Sequence, residues 1–353
     1  MLKACYNVIG VMSGTSLDGI DIVQVKFEFS DGWSFEIIKA ETIPYSEYWR
    51  QKLKSLIYLD LQDLIEVDES YSEYLGRIVY QFIHENAIDN IDFIASHGHT
   101  ALHKPEVGLT YQIGNKQVFA DKIGLKVICD YRVQDVELGG QGAPLVPIGD
   151  ELLFNEIDYC LNLGGFSNIS FNNGRERLAY DICPVNIVLN HYVAQIGLDY
   201  DHNGELAAKG SINNELLKDL NNLPFYSMKH PKSLGLEWVR DKVFPLIDKY
   251  KLKLEDILRT FVEHIAHQIA TVLDDSNKDV LITGGGAYND FLISRIKVLS
   301  KANIIIPKKN IIEFKEALIF GFLGVLKERQ EINCLASVTG ASKDHSSGKI
   351  MKP

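Results

Sequence analysis

The stretch 8–21, VIGVMSGTSLDGID, joins an apolar run to a cluster of small residues and two aspartates. The apolar run predicts a β-strand, and the apolar–polar alternation from Ile20 to Phe29 predicts a second strand. Asp18-Gly19, between the two, is a hairpin turn signal. The sequence therefore predicts a β-hairpin whose tip can surround an anion with backbone N–H groups and hydroxyls. A hairpin turn without a ligand remains the alternative.

The segments that follow this hairpin indicate an α/β protein. Asp31-Gly32 predicts a second turn, and apolar residues at three- and four-residue spacing between Tyr71 and Ile83 predict a helix. Further strands are predicted at WSFEIIKAETI, IDFIASHG, LKVICDY, YCLNLGG, RLAYDIC and DVLITGGG. Strands that return with helices between them predict mixed sheets flanked by helices. The polar tail, ASVTGASKDHSSGKIMKP, looks like a loose end from its composition alone.

Length and composition limit the possible partners. The 353 residues predict two lobes of moderate size, with the Gly/Pro-rich GGQGAPLVP segment as the crossing between them. A net charge of −11 argues against nucleic acid as the main partner, although backbone N–H groups can still bind a phosphate. We expect no membrane partner, because the N-terminus lacks a signal-peptide layout and apolar runs are short. Five scattered cysteines without a C-x-x-C pair predict a reducing, cytoplasmic location.

Two glycine clusters lie directly after predicted strands. Gly164 and Gly165 follow one strand in NLGGFSN, and Gly284, Gly285 and Gly286 follow another in LITGGGAYND. Glycines at such positions let a ligand approach the backbone closely, whereas a tight turn is the plain alternative for each cluster alone. Together with the hairpin, the clusters predict a nucleotide held between two lobes. The sequence contains no G-x-x-x-x-G-K-[ST] pattern, which excludes a P-loop enzyme.

Asp181 is the candidate general base. It stands at the end of an apolar strand in AYDICPVN, and Pro184 delays the next helix. A helix-capping role for Asp181 remains equally open, since aspartate is common at helix N-caps. Cys183 beside it is predicted to be a small buried side chain rather than a reactive thiol.

The histidines of SHGHTALH, at positions 97, 99 and 103, are predicted to hydrogen-bond near a polar ligand. His264 and His267 lie three residues apart on a long predicted helix, without the glutamate of a metalloprotease motif. We therefore predict no protein-bound metal site from these patterns.

The order of these motifs resembles that of the anhydro-N-acetylmuramic acid kinases, which have the actin/hexokinase/Hsp70-like ATPase (ribonuclease H-like) fold. The resemblance spans nearly the whole chain and rests on GVMSGTSLDGID, SHGHT, YQIGN, CDYRVQDVELGGQGAPLVP, LNLGGFSNIS, YDICPVN, YDHNGELAAKG, HPKSLGLEW, GGGAYND, KEALIFGFLG and SVTGAS. It implies a cytoplasmic kinase of cell-wall recycling that uses ATP and Mg²⁺. Such an enzyme opens the 1,6-anhydro bond of the sugar with water and phosphorylates O6.

The resemblance also assigns residues to roles. Asp181 matches the catalytic aspartate that activates water, and Mg²⁺ is expected to bind mainly through ATP phosphates and water. The positions expected to bind ATP and its phosphates are Gly14, Thr15, Ser16, Leu17, Asp18, Gly19, Ile20, Asp21, Gly164, Gly165, Gly284, Gly285 and Gly286. The positions expected to hold the sugar are Thr100, Arg132, Asn186 and Glu316.

The implied lobes are residues 1–130 with 335–353, so that the tail returns to the first lobe, and residues 131–334. A homodimer is implied by the family only. Alternatives are a kinase of the same fold that acts on another sugar, and a catalytically silent nucleotide-binding protein.

Three departures from the family pattern bear on the sugar. Cys183 and Val185 stand where glycines are usual, so a positive φ and a close backbone approach are not expected there. His99 replaces a glutamine, which predicts added pH sensitivity. Tyr131 and Gln134 replace phenylalanine and arginine, so one positive charge that would favour the lactyl carboxylate is missing.

Overall fold

The computed structural model describes residues 3–14, 17–273 and 277–353. The chain divides into two compact units, Met1–Asn155 with Phe314–Pro353 and Glu156–Glu313. The sequence places these divisions at 130/131 and 334/335 instead. The difference arises because segment 131–155 packs within the first unit: the ring of Phe154 lies 5.4 Å from that of Phe35, and Asp150 forms a buried ion pair with Lys315 at 2.6 Å.

The first unit is built on a mixed sheet. In the described part of the chain its strand order is β13-β7-β4-β1-β2-β3, and a separate ribbon pairs β5 with β6. Strand β1 is antiparallel to β2 and parallel to β4, so it lies in the middle of the sheet. The strands are β1 Cys5–Ser13, β2 Gly19–Phe29, β3 Trp33–Pro44, β4 Phe93–Ser96, β5 His99–Lys104, β6 Leu109–Ile113, β7 Val127–Cys129 and β13 Lys349–Met351.

The second unit has a mixed sheet of strand order β10-β9-β8-β11-β12 within the described residues. Strands β8, β9 and β10 are antiparallel neighbours, whereas β8, β11 and β12 run parallel. The strands are β8 Tyr159–Leu163, β9 Phe166–Asn172, β10 Arg177–Pro184, β11 Asp279–Thr283 and β12 Asn303–Ile305. With the first five strands of each main sheet counted in chain order, both sheets read 3-2-1-4-5.

Helices connect and cover these strands, which confirms the expected fold class of α/β with mixed sheets flanked by helices. None of the helices in the described ranges is long and apolar enough to cross a membrane. The helices are α1 Glu47–Ser55, α2 Leu61–Glu85, α3 Gln117–Ile123, α4 Val133–Glu137, α5 Pro147–Leu153, α6 Asn186–Val193, α7 Glu205–Lys209, α8 Asn214–Asn221, α9 Leu236–Trp238, α10 Phe244–Lys249, α11 Leu254–Val272, α12 Asp290–Leu299, α13 Lys309–Glu328 and α14 Ala336–Thr339.

The C-terminal tail is an ordered part of the first sheet, so the composition-based prediction of a loose end is wrong. Strand β13 pairs antiparallel with β7. Upstream of it, the Asn333 side-chain amide donates to the backbone oxygens of Leu323 and Ser347, at 3.1 and 2.9 Å. These two bonds tie Asn333 both to α13 and to the segment just before β13.

A close contact between β1 and α13 fixes the centre of the first unit. A Cβ placed on Gly10 would lie 2.2 Å from the carbonyl oxygen of Ala317, and Gly321 packs on the same strand residue. Only glycine fits between the strand and the helix backbone at this separation. The sheet centre therefore positions the helix that carries Glu316.

We predict that Gly10→Ala lowers the free energy of unfolding by about 2–4 kcal/mol, because the strand or the helix must move to accommodate the methyl group. Urea unfolding followed by circular dichroism measures this change. The control is Gly32→Ala at the β2–β3 turn, where a Cβ meets nothing within 4 Å, and a change within about 0.5 kcal/mol is expected. Equal effects of the two substitutions would contradict the proposed packing constraint.

Candidate active site

The hairpin between β1 and β2 is present, and its described residues divide into core and surface positions. Leu17 has a φ of +61°, and its N–H donates to the Gly14 carbonyl oxygen at 3.5 Å. The side chains of Leu17 and Ile20 are buried in the core of the first unit, whereas Asp18 is exposed. Any contribution of Leu17 and Ile20 to an anion site is therefore made by their backbone. Thr15 and Ser16 lie outside the described residues.

Residues 19–21, on the β2 side of the hairpin, pack against strand β3. The Thr42 hydroxyl donates to the Asp21 carboxylate at 2.6 Å. A Cβ on Gly19 would lie 2.6 Å from the Ile43 carbonyl oxygen, so packing requires glycine there as well. Some residues of the motif, such as Gly19 and Ile20, are therefore required for packing, and the others are available to bind a ligand.

A buried hydroxyl network lies at the base of this hairpin, and no motif in the sequence predicts it. The Ser13 Oγ lies 2.5 Å from the Tyr45 hydroxyl, 2.9 Å from the Tyr71 hydroxyl and 3.0 Å from His99 Nδ1. Burial lowers the pKa of His99 to about 4, which keeps the imidazole neutral at neutral pH. The pH sensitivity expected from His99 is therefore displaced below neutral pH. Its titration falls in the acidic range.

Arg132, a candidate sugar-binding residue, is oriented by His97. Its Nε donates to His97 Nε2 at 2.9 Å, and its Nη1 donates to the Gly142 carbonyl oxygen at 2.6 Å. Since Nε2 accepts, the His97 proton is on Nδ1, which lies 2.9 Å from the Gly98 carbonyl oxygen. Burial and the adjacent guanidinium hold the pKa of His97 well below its usual value, consistent with this neutral form.

The guanidinium of Arg132 remains positively charged at neutral pH. Burial lowers the pKa of Arg132 to about 10, and the carboxylates of Glu316 and Asp135 act in the opposite direction. Arg132 and Glu316 thus lie close enough for their opposite charges to influence each other. Thr100, the third candidate of this unit, lies on β5 opposite Gln112, beside a β-bulge. A cation fixed by a neutral histidine can form a bidentate contact with a carboxylate ligand.

In the second unit, the glycine clusters lie at the ends of neighbouring parallel strands, β8 and β11. Gly284 has a φ of +82°, and a Cβ there or on Gly286 would lie within 3 Å of Leu163 or of Asn162. These two glycines are therefore required by packing. At Gly285 a Cβ would meet only the Asn186 amide, at 3.7 Å, so this position leaves the backbone accessible to a ligand.

The Gly164-Gly165 turn connects to the first turn of α6. The Gly165 carbonyl oxygen accepts from Val185 N at 2.8 Å, and the Gly164 carbonyl oxygen accepts from Asn186 N at 3.2 Å. The Asn186 side-chain amide donates to the Leu163 carbonyl oxygen at 3.3 Å. Gly164, Gly165, Gly285 and Asn186 therefore form one local group in the second unit.

Asp181 is half-buried on β10, beside a β-bulge that separates it from Cys183 in the pairing with β9. Its Oδ2 accepts from Leu234 N at 2.8 Å. Burial raises the pKa of Asp181, and the Leu234 N–H acts in the opposite direction. The helix-capping alternative is wrong, because α6 has Val185 at its N-cap and no side-chain cap. Asp181 lies within β10, which continues to Pro184, so the expected strand-end position is wrong. A half-buried carboxylate of raised pKa beside a bulge is nevertheless suited to accept a proton.

Cys183 and Val185 are both buried in the core of the second unit. The burial of Cys183 confirms the prediction that it is a small buried side chain. Val185 has a φ of −129°, so the backbone avoids the positive φ range that a glycine permits. The Ser167 hydroxyl lies 3.2 Å from Cys183 Sγ, and burial raises the pKa of this thiol to about 12. Both side chains therefore pack inward.

The fold and these turns define an α/β protein with mixed sheets and glycine-rich turns whose backbone N–H groups suit phosphate oxygens. A family model described as anhydro-N-acetylmuramic acid kinase matches residues 6–353. The chain belongs to this family.

Relatives that carry this family name match over nearly their whole length. The protein of Haemophilus influenzae is 35% identical, with 97% of each chain covered. That of Hydrogenovibrio crunogenus is 31% identical with 98% of each covered, and that of Pasteurella multocida is 32% identical with 99% of this chain and 98% of the relative covered.

Two solved structures show distant similarity. The activator of 2-hydroxyisocaproyl-CoA dehydratase from Clostridium difficile, with bound ADPNP, has a TM-score of 0.46 and 13% identity, with 92% of this chain and 97% of that chain covered. The hexokinase of Schistosoma mansoni complexed with glucose has a TM-score of 0.36 and 9% identity, with 91% and 85% covered.

We predict that His99 makes the protein less stable in mild acid. At pH 5 the unfolded chain protonates this histidine, whose ordinary pKa is 6.5, while the folded chain with a pKa of about 4 does not. The contribution is present above pH 6.5 and is lost as the pH falls toward 4. For His99 alone, the loss between pH 7 and pH 5 is about 2 kcal/mol.

His99→Gln, which keeps a hydrogen-bonding group beside Ser13, should reduce the pH 7 to pH 5 difference in unfolding free energy by that amount. Urea unfolding at the two pH values measures it. The exposed His84→Gln controls for the substitution itself. An unchanged difference in His99→Gln would show that this histidine is not buried in neutral form.

Proposed function

We propose that this kinase opens the 1,6-anhydro ring of 1,6-anhydro-N-acetylmuramic acid and transfers the γ-phosphoryl group of ATP to O6. The products are N-acetylmuramic acid 6-phosphate and ADP, and the pathway is peptidoglycan recycling in the cytoplasm. Family membership over residues 6–353 supports the reaction class. The observation that carries the proposal is Asp181, a half-buried carboxylate on β10 that is oriented by Leu234 N–H.

Asp181 acts as the general base in this proposal. The bond from Leu234 N to Oδ2 orients the carboxylate, and Oδ1 takes the proton of the attacking water. The water oxygen bonds to the anomeric carbon, the bond between this carbon and O6 breaks, and O6 attacks the γ-phosphorus while ADP leaves. Burial raises the pKa of Asp181, so its carboxylate is a stronger base than that of a solvent-exposed aspartate.

The phosphates are assigned to the hairpin 14–21 and to the turns at Gly164, Gly165 and Gly284–Gly286. Backbone N–H groups at such turns suit phosphate oxygens. The exposed Asp18 carboxylate offers oxygen, the donor type that Mg²⁺ prefers, and the ion is expected to bind mainly through ATP phosphates and water. When bound, Mg²⁺ supplies charge neutralisation at the phosphates.

The sugar is assigned to Thr100, Arg132, Asn186 and Glu316. Arg132, held in place by His97, is the partner for the lactyl carboxylate. Glu316 and Asn186 offer hydrogen bonds to sugar hydroxyl and acetamido groups. We further propose a homodimer on the basis of family membership, with neither nucleic acid nor membrane as a partner.

Departures at Cys183 and Val185 motivate a second candidate, a kinase for another anhydro-sugar. Both side chains pack into the core, so neither can change the shape of a surface that contacts the sugar. This burial favours the anhydro-N-acetylmuramic acid kinase. A catalytically silent nucleotide-binding protein is the remaining alternative. The joint presence of Asp181, Arg132 and Glu316 argues against it.

We predict that Asp181→Asn lowers kcat by about 10²–10⁴-fold, since the amide cannot accept the proton but still accepts from Leu234 N. Calorimetry should show nearly normal ATP binding. Mass spectrometry of the sugar product after incubation with ATP measures turnover, and Asp199→Asn, an exposed aspartate of the same unit, is the control.

Two other outcomes would change the assignment. Wild-type turnover in Asp181→Asn would exclude Asp181 as the base. ATP binding by the wild-type chain without turnover on 1,6-anhydro-N-acetylmuramic acid, levoglucosan or N-acetylglucosamine would support the silent protein.

A substrate comparison separates sugar recognition from core packing. Levoglucosan lacks the lactyl carboxylate, so we expect Arg132→Gln to lower kcat/KM for 1,6-anhydro-N-acetylmuramic acid roughly tenfold or more with a smaller effect on levoglucosan. Val185→Ala should lower the unfolding free energy by about 1–3 kcal/mol and leave the ratio of the two kcat/KM values unchanged. A changed ratio in Val185→Ala would favour the second candidate.

A further inference from the structure

Three potential metal ligands meet in the interior of the first unit. Asp135 from α4, together with Cys334 and His345 from the C-terminal tail, places one ligand atom each within 4.8 Å of the others. Their exposed fractions are 0%, 1% and 5%. Cys334 and His345 are neighbours through a β-bridge, so the backbone of the tail holds the two side chains in register.

The imidazole of His345 presents an unpartnered nitrogen to this cluster. Its Nδ1 lies 3.2 Å from the Lys343 carbonyl oxygen, which requires the proton on Nδ1. Its Nε2 is buried and has no hydrogen-bond partner among the described residues, and it lies 3.7 Å from Asp135 Oδ1. A proton on Nε2 would make this contact an ion pair with Asp135, and a metal cation between the two atoms would satisfy both of them in its place.

The spacing of the donor atoms suits a small tetrahedral cation. Cys334 Sγ lies 3.1 Å and His345 Nε2 lies 3.7 Å from Asp135 Oδ1. Ligand atoms around tetrahedral zinc are separated by roughly 3.5 Å, given the usual bond lengths to sulfur, nitrogen and oxygen. A carbonyl that accepts from the far ring nitrogen of a histidine is also the usual outer partner of a zinc-bound imidazole.

The carboxylate of Asp135 is itself held in place. Its Oδ1 accepts from the Thr339 hydroxyl at 2.7 Å, and its Oδ2 accepts from Gly142 N at 2.6 Å. Gly142 also supplies the carbonyl oxygen that accepts from Arg132. Two hydrogen bonds, both made by the Gly142 backbone, therefore connect the cluster to the arginine assigned to the sugar.

We propose that Asp135, Cys334 and His345 form a structural zinc site that fastens the C-terminal tail to the segment following Arg132. Mixed sulfur, nitrogen and oxygen ligands select a borderline-soft divalent ion over Mg²⁺ or Ca²⁺. Binding replaces the thiol proton of Cys334, which is released to solvent, and Thr339 or a water supplies the fourth ligand. The site is separate from the phosphotransfer chemistry and does not depend on the proposed substrate.

The test uses the purified full chain, stripped with a chelator and titrated with Co²⁺ as a spectroscopic probe and then with Zn²⁺ as competitor. We expect one equivalent of Co²⁺ to give a thiolate-to-cobalt charge-transfer absorption, which one equivalent of Zn²⁺ removes. Cys334→Ser should abolish this absorption. His345→Gln, which leaves the thiol in place, should weaken the affinity for Zn²⁺ at least tenfold.

Cys129→Ser is the matched control, a buried cysteine of the same unit outside the cluster, and it should retain the absorption. Near-ultraviolet circular dichroism checks that each variant is folded. The absence of the absorption in the wild-type chain, or its persistence in Cys334→Ser, would overturn the proposal. An affinity for Zn²⁺ in folded His345→Gln equal to that of the wild type would exclude His345 as a ligand and overturn the three-ligand site.

Discussion

The contact of Gly10 with the backbone of α13 is the constraint on which the first unit depends. Without a side chain at this position, the central strand lies against the helix at a distance no Cβ tolerates. Glu316 immediately precedes Ala317 at this contact, so the strand determines where its carboxylate lies. Arg132 follows β7 of the same sheet. One sheet thus positions both charges that we assign to the sugar.

Local patterns in the sequence were sufficient to predict most elements, because period-2 and period-3.6 burial is a local property. The strands around the first hairpin and the apolar face of α2 follow this rule. Local patterns do not predict the unit boundaries or the ordered tail, since these depend on pairings such as β13 with β7 between distant segments. Only the family resemblance implies that the tail returns to the first lobe. The orientation of Arg132 by His97 and the network around Ser13 are likewise tertiary contacts, for which SHGHT gave only a residue type.

The two main sheets share the order 3-2-1-4-5, although the sequence shows no internal repeat. The hairpin 14–18 joins the first two strands of one sheet, and Gly164-Gly165 joins the first two strands of the other. The two turns therefore occupy equivalent positions in the ribonuclease H-like arrangement that the family implies. Asp181 lies on the third strand of its sheet, a position that the first sheet fills with β3. The strand order is the same in both units, whereas the candidate base Asp181 belongs to the second unit only.

A single glycine links the two candidate ligand regions of the first unit. Gly98 has a φ of +70°, and a Cβ there would lie 2.5 Å from a carbonyl oxygen of β6, so no other residue allows this turn after β4. The turn sends His97 to Arg132 and His99 to Ser13. Burial keeps both imidazoles neutral, so each acts as a hydrogen-bonding support without adding charge. Segment 96–99 therefore contacts both the candidate phosphate hairpin, through Ser13, and the candidate sugar-binding residue Arg132 within one unit.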